Sequence, residues 1–180
     1  MRTNTIGATY LLLGVILAAF VAVLVAVVRT ASASGHVVQG AALIQPVVAL
    51  VVLTAIVLLL TVVYRNVAVI RGIASLRYFK TFTTDQPAER VERPARTYMN
   101  LLELPILFYV VCLLMLTTGR FDAVRISLAW VFVITRYVHA FIYIGFNHVP
   151  LRFVAFLTGV ITLAVIWTRF AEQNMQWHLS

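Results

Sequence analysis

The chain has 180 residues, 62% of them hydrophobic, and a mean hydropathy of +0.98. A soluble domain is only about half apolar, so this composition excludes one and specifies an integral membrane protein. The net charge of +8 suggests nucleic acid only until the basic residues are sorted by position, and Cys112, the single cysteine, excludes an intrachain disulfide.

Ile6 to Val28 is an apolar run long enough to span a bilayer, flanked by Arg2 and Arg29. Ala31-Ser32-Ala33 after it has the form of a signal-peptide cleavage site. The run exceeds the roughly 7–15 apolar residues of a signal peptide, however, and a retained helix is expected. Ala18, Ala22 and Ala26 form a small-residue stripe suited to close helix packing, although alanine is equally common in such helices for no special reason. Thr30 to Gln45, with Gly35 and Gly40, reads as a loop. A second span is expected over about Pro46 to Tyr64. After it Arg65, Arg71, Arg77 and Lys80 interleave with Val67, Ile70, Ile73, Leu76 and Phe79, the pattern of a helix continuing into the headgroups. Thr83 to Pro87 is a turn, and Glu89 to Arg93 is a charged approach to a helix that should begin near Pro94. The third span covers about Tyr98 to Thr117 and the fourth about Val124 to Phe146. Asn147 to Arg152 is a tight connection to a fifth span, Phe153 to Trp167, and the end from Arg169 is a polar tail.

Sorting Lys and Arg by side fixes the orientation. With the Arg65 to Arg96 segment in the cytoplasm, Arg65, Arg71, Arg77, Lys80, Arg90, Arg93 and Arg96 gather there, joined by Arg2 and Arg152. The opposite side holds Arg29, Arg120, Arg125 and Arg169. The excess marks the cytoplasmic face and a cytoplasmic amino terminus, and it puts Trp130 and Trp167 toward the outer interface. The basic residues are thereby accounted for without nucleic acid.

Two polar stripes enter this apolar setting. Arg96, Asn100 and Glu103 share one helix face, with Glu103 roughly 10 Å deeper than Arg96. Pro105 removes a backbone donor there and bends the helix. Arg136, His139 and Tyr143 form the second stripe. A mid-membrane arginine costs about 2.5–3.5 kcal/mol on the lenient insertion scale, so Arg136 needs a partner, and Glu103, the one acidic residue inside any span, is expected beside it. Such a pair could equally serve only to fix helix register. Together with Arg152 the two stripes hold more polar groups than one pair needs, and they suit a small, anionic, peptide-like ligand. Arginines receive carboxylates, Asn100 both donates and accepts, and Glu103 accepts from an ammonium or amide. Arg152 is placed to stabilise a thiolate, with Tyr143 as a second donor. Each residue also has an ordinary reading: Tyr143 as an interfacial anchor, Arg152 as a topology charge, His139 as a satisfied bundle histidine. His36, His139, His148 and His178 are scattered without metal-ligand spacing.

Arg90-Val91-Glu92-Arg93, then Arg96-x3-Asn100-x2-Glu103-x-Pro105, then Arg136-x2-His139-x3-Tyr143-x8-Arg152, resembles the MAPEG family, the membrane-associated proteins of eicosanoid and glutathione metabolism. The resemblance covers about Pro46 to Phe170. It implies an all-α integral membrane fold with a four-helix bundle over 46–171; the additional transmembrane helix read from the apolar run within 1–45 lies outside the family core, and 172–180 is the polar tail. It also implies a homotrimer that takes glutathione between neighbouring subunits at the cytoplasmic side. By motif position Arg96, Asn100 and Glu103 would hold glutathione, with Arg136 and His139 at the family's polar positions. Tyr143 would line the site and Arg152 would activate the thiol. Tyr98, Leu104 and Pro105 depart from the pattern of several members. The activity implied is that of a microsomal glutathione transferase, a transferase or peroxidase acting on apolar electrophiles or lipid hydroperoxides. The alternative is a non-catalytic lipid-binding or scaffolding protein of the same fold.

Overall fold

The computed structural model describes residues 40–81 and 88–175, with Ala22, Ala26 and Arg29 as isolated helical positions. Apart from those three, the expected amino-terminal span lies outside the described residues, as do the turn before Ala88 and residues 176–180. Every regular element among the described residues is helical: α1 Ala41–Ile70, α2 Leu76–Thr81, α3 Glu89–Thr118, α4 Ala123–Ile144 and α5 Val149–Met175. All but α2 are long and apolar enough to cross a membrane.

Several helix boundaries differ from the expectation: α1 begins inside the expected loop, at Ala41, and α5 runs from Val149 to Met175, taking in part of the expected connection and the start of the expected tail. Two further differences have a clear local reason. The helix expected to run on through Phe79 stops at Ile70, because Gly72 takes a left-handed φ of 68° and the Ile73 N–H turns back to the Ala68 carbonyl at 2.8 Å. The helix expected from Pro94 begins five residues earlier, at Glu89. Glu89 and Glu92 lie in its first turn, where carboxylates face the positive end of the helix dipole. At 30 residues, α1 and α3 are each about 45 Å long against a hydrocarbon core of about 30 Å, so both carry charged turns beyond it.

The other ends are capped by chemistry visible in the sequence. Gly119, at φ 65°, closes α3 as the Arg120 N–H reaches the Met115 carbonyl at 3.0 Å. Asp122 caps α4 by accepting from the Arg125 N–H at 2.8 Å. Arg125 in turn donates to the Arg169 carbonyl at 2.8 Å, tying the start of α4 to the end of α5.

The core is a seam among α1, α3, α4 and α5. Leu50, Val57, Phe108, Met115, Leu128 and Ile166 are fully enclosed there, while Val51, Ile56 and Leu59 of α1 face outward, as a lipid-covered helix requires. Phe108 of α3 stacks on Phe132 of α4 with ring centroids 4.7 Å apart. Lipid tails are as apolar as these rings, so close packing rather than escape from water holds the seam. Phe108→Ala should therefore cost roughly 3 kcal/mol, the low end for a buried phenylalanine, because the cavity term remains while the transfer term shrinks. Thermal unfolding in detergent measures it, and an unchanged melting temperature would contradict this packing.

Candidate functional site

Arg136, in the middle of α4, is 1% exposed. One terminal nitrogen, Nη2, donates to the Ala155 carbonyl at 3.0 Å and to the Phe156 carbonyl at 3.1 Å, both on α5. The guanidinium carbon lies 5.4 Å from the Phe132 ring centroid and 5.5 Å from that of Phe156. The space for it comes from Gly159. A helical Cβ leans toward the amino terminus, so a side chain at 159 would cover the turn containing residues 155 and 156. A Cβ built there would sit 2.1 Å from Arg136 Nη2. The expected pairing of Arg136 with Glu103 therefore does not form. Arg136 is turned into α5, whereas Glu103 is exposed on α3. In place of a carboxylate, two helix carbonyls take one terminal nitrogen and two aromatic faces cover the guanidinium, while the buried Nε has no hydrogen-bond partner among the described residues.

One turn further along α4, His139 Nδ1 meets the Arg152 carbonyl at 3.1 Å. A carbonyl only accepts, so this contact puts the proton on Nδ1. The Tyr143 ring follows, and the Arg152 guanidinium carbon lies 4.1 Å from its centroid. Arg152 Nη1 donates to Asn147 Oδ1 at 2.7 Å. The Asn147 amide donates to Glu89, whose Oε1 also accepts from Arg93 Nε at 3.2 Å, and Arg93 Nη1 donates to the Gly145 carbonyl at 3.0 Å. The connection between α4 and α5 is thus laced to the first turns of α3.

The stripe on α3 is different in kind. Arg96 and Glu103 are exposed and Asn100 is half-buried, and none of the three makes a hydrogen bond or ion pair among the described residues. Arg96 borders a cleft of ≈ 660 Å³ between α1 and α3, whose wall passes from Arg65 and Glu92 to Leu58 and Met99. Arg65 and Glu92 form an ion pair across it at 3.3 Å, with Arg65 also 5.2 Å from the Phe79 ring centroid. Within one chain the predicted residues thus fall into two groups, Arg136, His139, Tyr143 and Arg152 on α4 and α5, and Arg96, Asn100 and Glu103 on α3. No described bond joins them.

The MAPEG family model matches residues 43–171, most of the chain. The chain belongs to the MAPEG family. No curated protein and no solved structure gives a match of its own. As a MAPEG protein with four membrane-crossing helices it is a multi-pass integral membrane protein of the glutathione and eicosanoid kind. The matched segment begins inside α1 and ends inside α5, so both polar groups lie on the part of the chain that carries the MAPEG likeness. In the sequence Glu92 and Arg93 stand out as motif residues without an assigned partner, and spacing did not single out Glu89 or Asn147, which link Arg93 to Arg152, nor the pairing of Arg65 with Glu92. The one signal available was chemical: an asparagine at the head of a tight connection, with two side-chain functions to place.

Proposed function

We propose that this protein is a glutathione-dependent transferase or peroxidase of the microsomal glutathione transferase type, working as a homotrimer on apolar electrophiles or lipid hydroperoxides. The observation that carries the reading is the unpartnered stripe Arg96, Asn100 and Glu103 on the exposed side of a membrane helix. Facing lipid, a charged side chain near the bilayer centre costs about 2.5–3.5 kcal/mol even on the lenient scale, so a neighbouring subunit and a polar ligand belong on this face. The residues fit glutathione chemically. Arg96 answers a carboxylate, Asn100 a peptide group and Glu103 an ammonium or amide. Arg152 commits Nη1 to Asn147 and its face to Tyr143, leaving Nε and Nη2 free to donate. Such a partly desolvated cation stabilises a thiolate. Glutathione supplies the nucleophilic thiol, and Tyr143 supplies a second donor beside it. Arg136 and His139 act one step back: they grip the carbonyls of residues 152, 155 and 156 and so fix where α5 presents Arg152. The excess of Lys and Arg puts the site and the amino terminus in the cytoplasm. The bundle of residues 46–171 is the functional unit, with 1–45 as an added anchor and 172–180 as a tail.

Because the two polar groups are separate within a chain, the reading places them together across a subunit interface. Trimers of Arg96→Ala/Glu103→Gln subunits alone, or of Arg152→Ala subunits alone, should be nearly inactive. Co-assembled, they should recover about a quarter of the wild-type rate, the share of interfaces that combine an intact stripe with an intact Arg152. Turnover of an activated chloroarene with glutathione measures this. No recovery from confirmed mixed trimers would place both groups in one subunit's site. A wild-type trimer inert toward every electrophile and hydroperoxide would favour the lipid-binding alternative.

A further inference from the structure

We propose that Asn147 is the positioning residue that sets the Arg152 guanidinium, braced from α3 by Glu89 and Arg93. The inference rests on the role given to Arg152 above. It starts from the backbone, where Asn147 takes a φ of 48° and is the single non-glycine residue with positive φ among the described residues. Asparagine enters that region more readily than most residues, but glycine enters it without penalty. The turn alone would be better served by glycine, so something about the side chain is being used.

Both ends of that side chain are engaged. Oδ1 accepts from Arg152 Nη1 at 2.7 Å, and Nδ2 donates to the Glu89 carboxylate. An amide can accept from a guanidinium and donate to a carboxylate at once, through two atoms set apart on one rigid plane. Arg152 is then held on three sides: Asn147 takes Nη1, the Tyr143 ring lies 4.1 Å from the guanidinium carbon, and His139 takes the backbone carbonyl at 3.1 Å. A long side chain with several rotatable bonds is reduced to one placement, with its remaining N–H groups unspent. Glu89 is itself fixed by Arg93 Nε, and Arg93 Nη1 holds the Gly145 carbonyl two residues before Asn147. The lacing therefore grips the turn on both sides of Phe146 and ties it to the helix that carries Arg96, Asn100 and Glu103.

The test uses the full-length protein in detergent, with Asn147→Gly, which suits the turn and removes the clamp, and the swapped pair Asn147→Asp/Glu89→Gln, which gives Arg152 an acceptor again and lets the amide at 89 donate to the new carboxylate in place of the lost bond. The first readout is the rate at which phenylglyoxal modifies Arg152, followed by peptide mass spectrometry and normalised to Arg90, which is exposed and unpartnered among the described residues. This readout does not depend on activity. Loss of a charge-assisted bond should raise Arg152 labelling about threefold or more in Asn147→Gly, and Asn147→Asp/Glu89→Gln should return it to the wild-type rate. The second readout is turnover of an activated chloroarene, expected to fall about tenfold in Asn147→Gly with KM for glutathione within about twofold, and to recover in Asn147→Asp/Glu89→Gln. Wild-type labelling in Asn147→Gly, or raised labelling with full turnover, overturns the positioning role. Raised and rescued labelling in a protein whose wild type shows no thiol chemistry keeps the clamp and removes the transferase reading. Should Asn147→Gly fail to fold, Glu89→Ala loosens the far end of the clamp and should raise labelling in the same direction, and unchanged labelling there overturns the brace.

Discussion

Replacing Arg152 by alanine is expected to lower glutathione-dependent turnover by about a hundredfold while KM for glutathione rises only a few-fold, the signature of a group that acts on the developing charge more than on ground-state binding. The asymmetry follows from the separation of the two polar groups. Arg96, Asn100 and Glu103, the residues proposed to answer the carboxylate, amide and ammonium of a peptide, are unpartnered on α3 among the described residues. Arg152 contributes a cation stacked on Tyr143, with one terminal nitrogen already committed to Asn147. Lysine at 152 keeps the charge but loses the flat stack and the fork, so it should recover only part of the rate. Steady-state kinetics with glutathione as the varied substrate gives both constants. Equal losses in turnover and affinity would mean that Arg152 binds without activating.

Gly159→Ala is the second large effect, and it concerns the scaffold. The added methyl would meet Arg136 Nη2 at 2.1 Å, and the guanidinium has nowhere else to go. It is 1% exposed, bound to two α5 carbonyls and enclosed by Phe132 and Phe156. Either α5 is pushed off α4 or a charged group loses its acceptors inside the bilayer, and each route should cost about 3 kcal/mol or more. Most of the penalty belongs to the pair, because the methyl's other close neighbour, Thr135 Oγ1 at 2.9 Å, overlaps it far less than the guanidinium does. In an Arg136→Met background, where a flexible apolar chain replaces the fork, Gly159→Ala should cost less than about 1 kcal/mol. Thermal denaturation of the four proteins in one detergent closes this cycle. Equal costs in both backgrounds would show that the methyl clashes with something other than Arg136.

How far the sequence could be read depended on whether a feature lies along one helix or between two. The four described spans were legible because each is an apolar run of bilayer length, and the end of α3 because Gly119 follows it. Spacing also put Arg96, Asn100 and Glu103 on one face, and that face does carry them outward together. The error over Arg136 arose because helical spacing fixes neighbours on one element but not the rotation of that element against the next. The hydropathy argument demanded a partner and found the one intramembrane acid, whereas α5 offered carbonyls through a notch that a lone glycine opens. Nothing local marks Gly159 as different from other small residues of a membrane helix. The boundary at Glu89 was missed for the opposite reason. Pro94 is a strong local signal for a first turn, and here the dipole and the lacing to Asn147 extend the helix past it.

The central claim is that this MAPEG chain binds glutathione and holds its thiol ionised. The most direct measurement is a glutathione titration of the purified wild-type protein and of Arg152→Ala, followed at the ultraviolet absorbance of the thiolate. The account predicts a saturable thiolate signal in the wild type that is lost in Arg152→Ala although glutathione still binds. No saturable signal up to millimolar glutathione, from a protein shown to be an intact trimer, would contradict it and leave a lipid-binding membrane protein of the same fold.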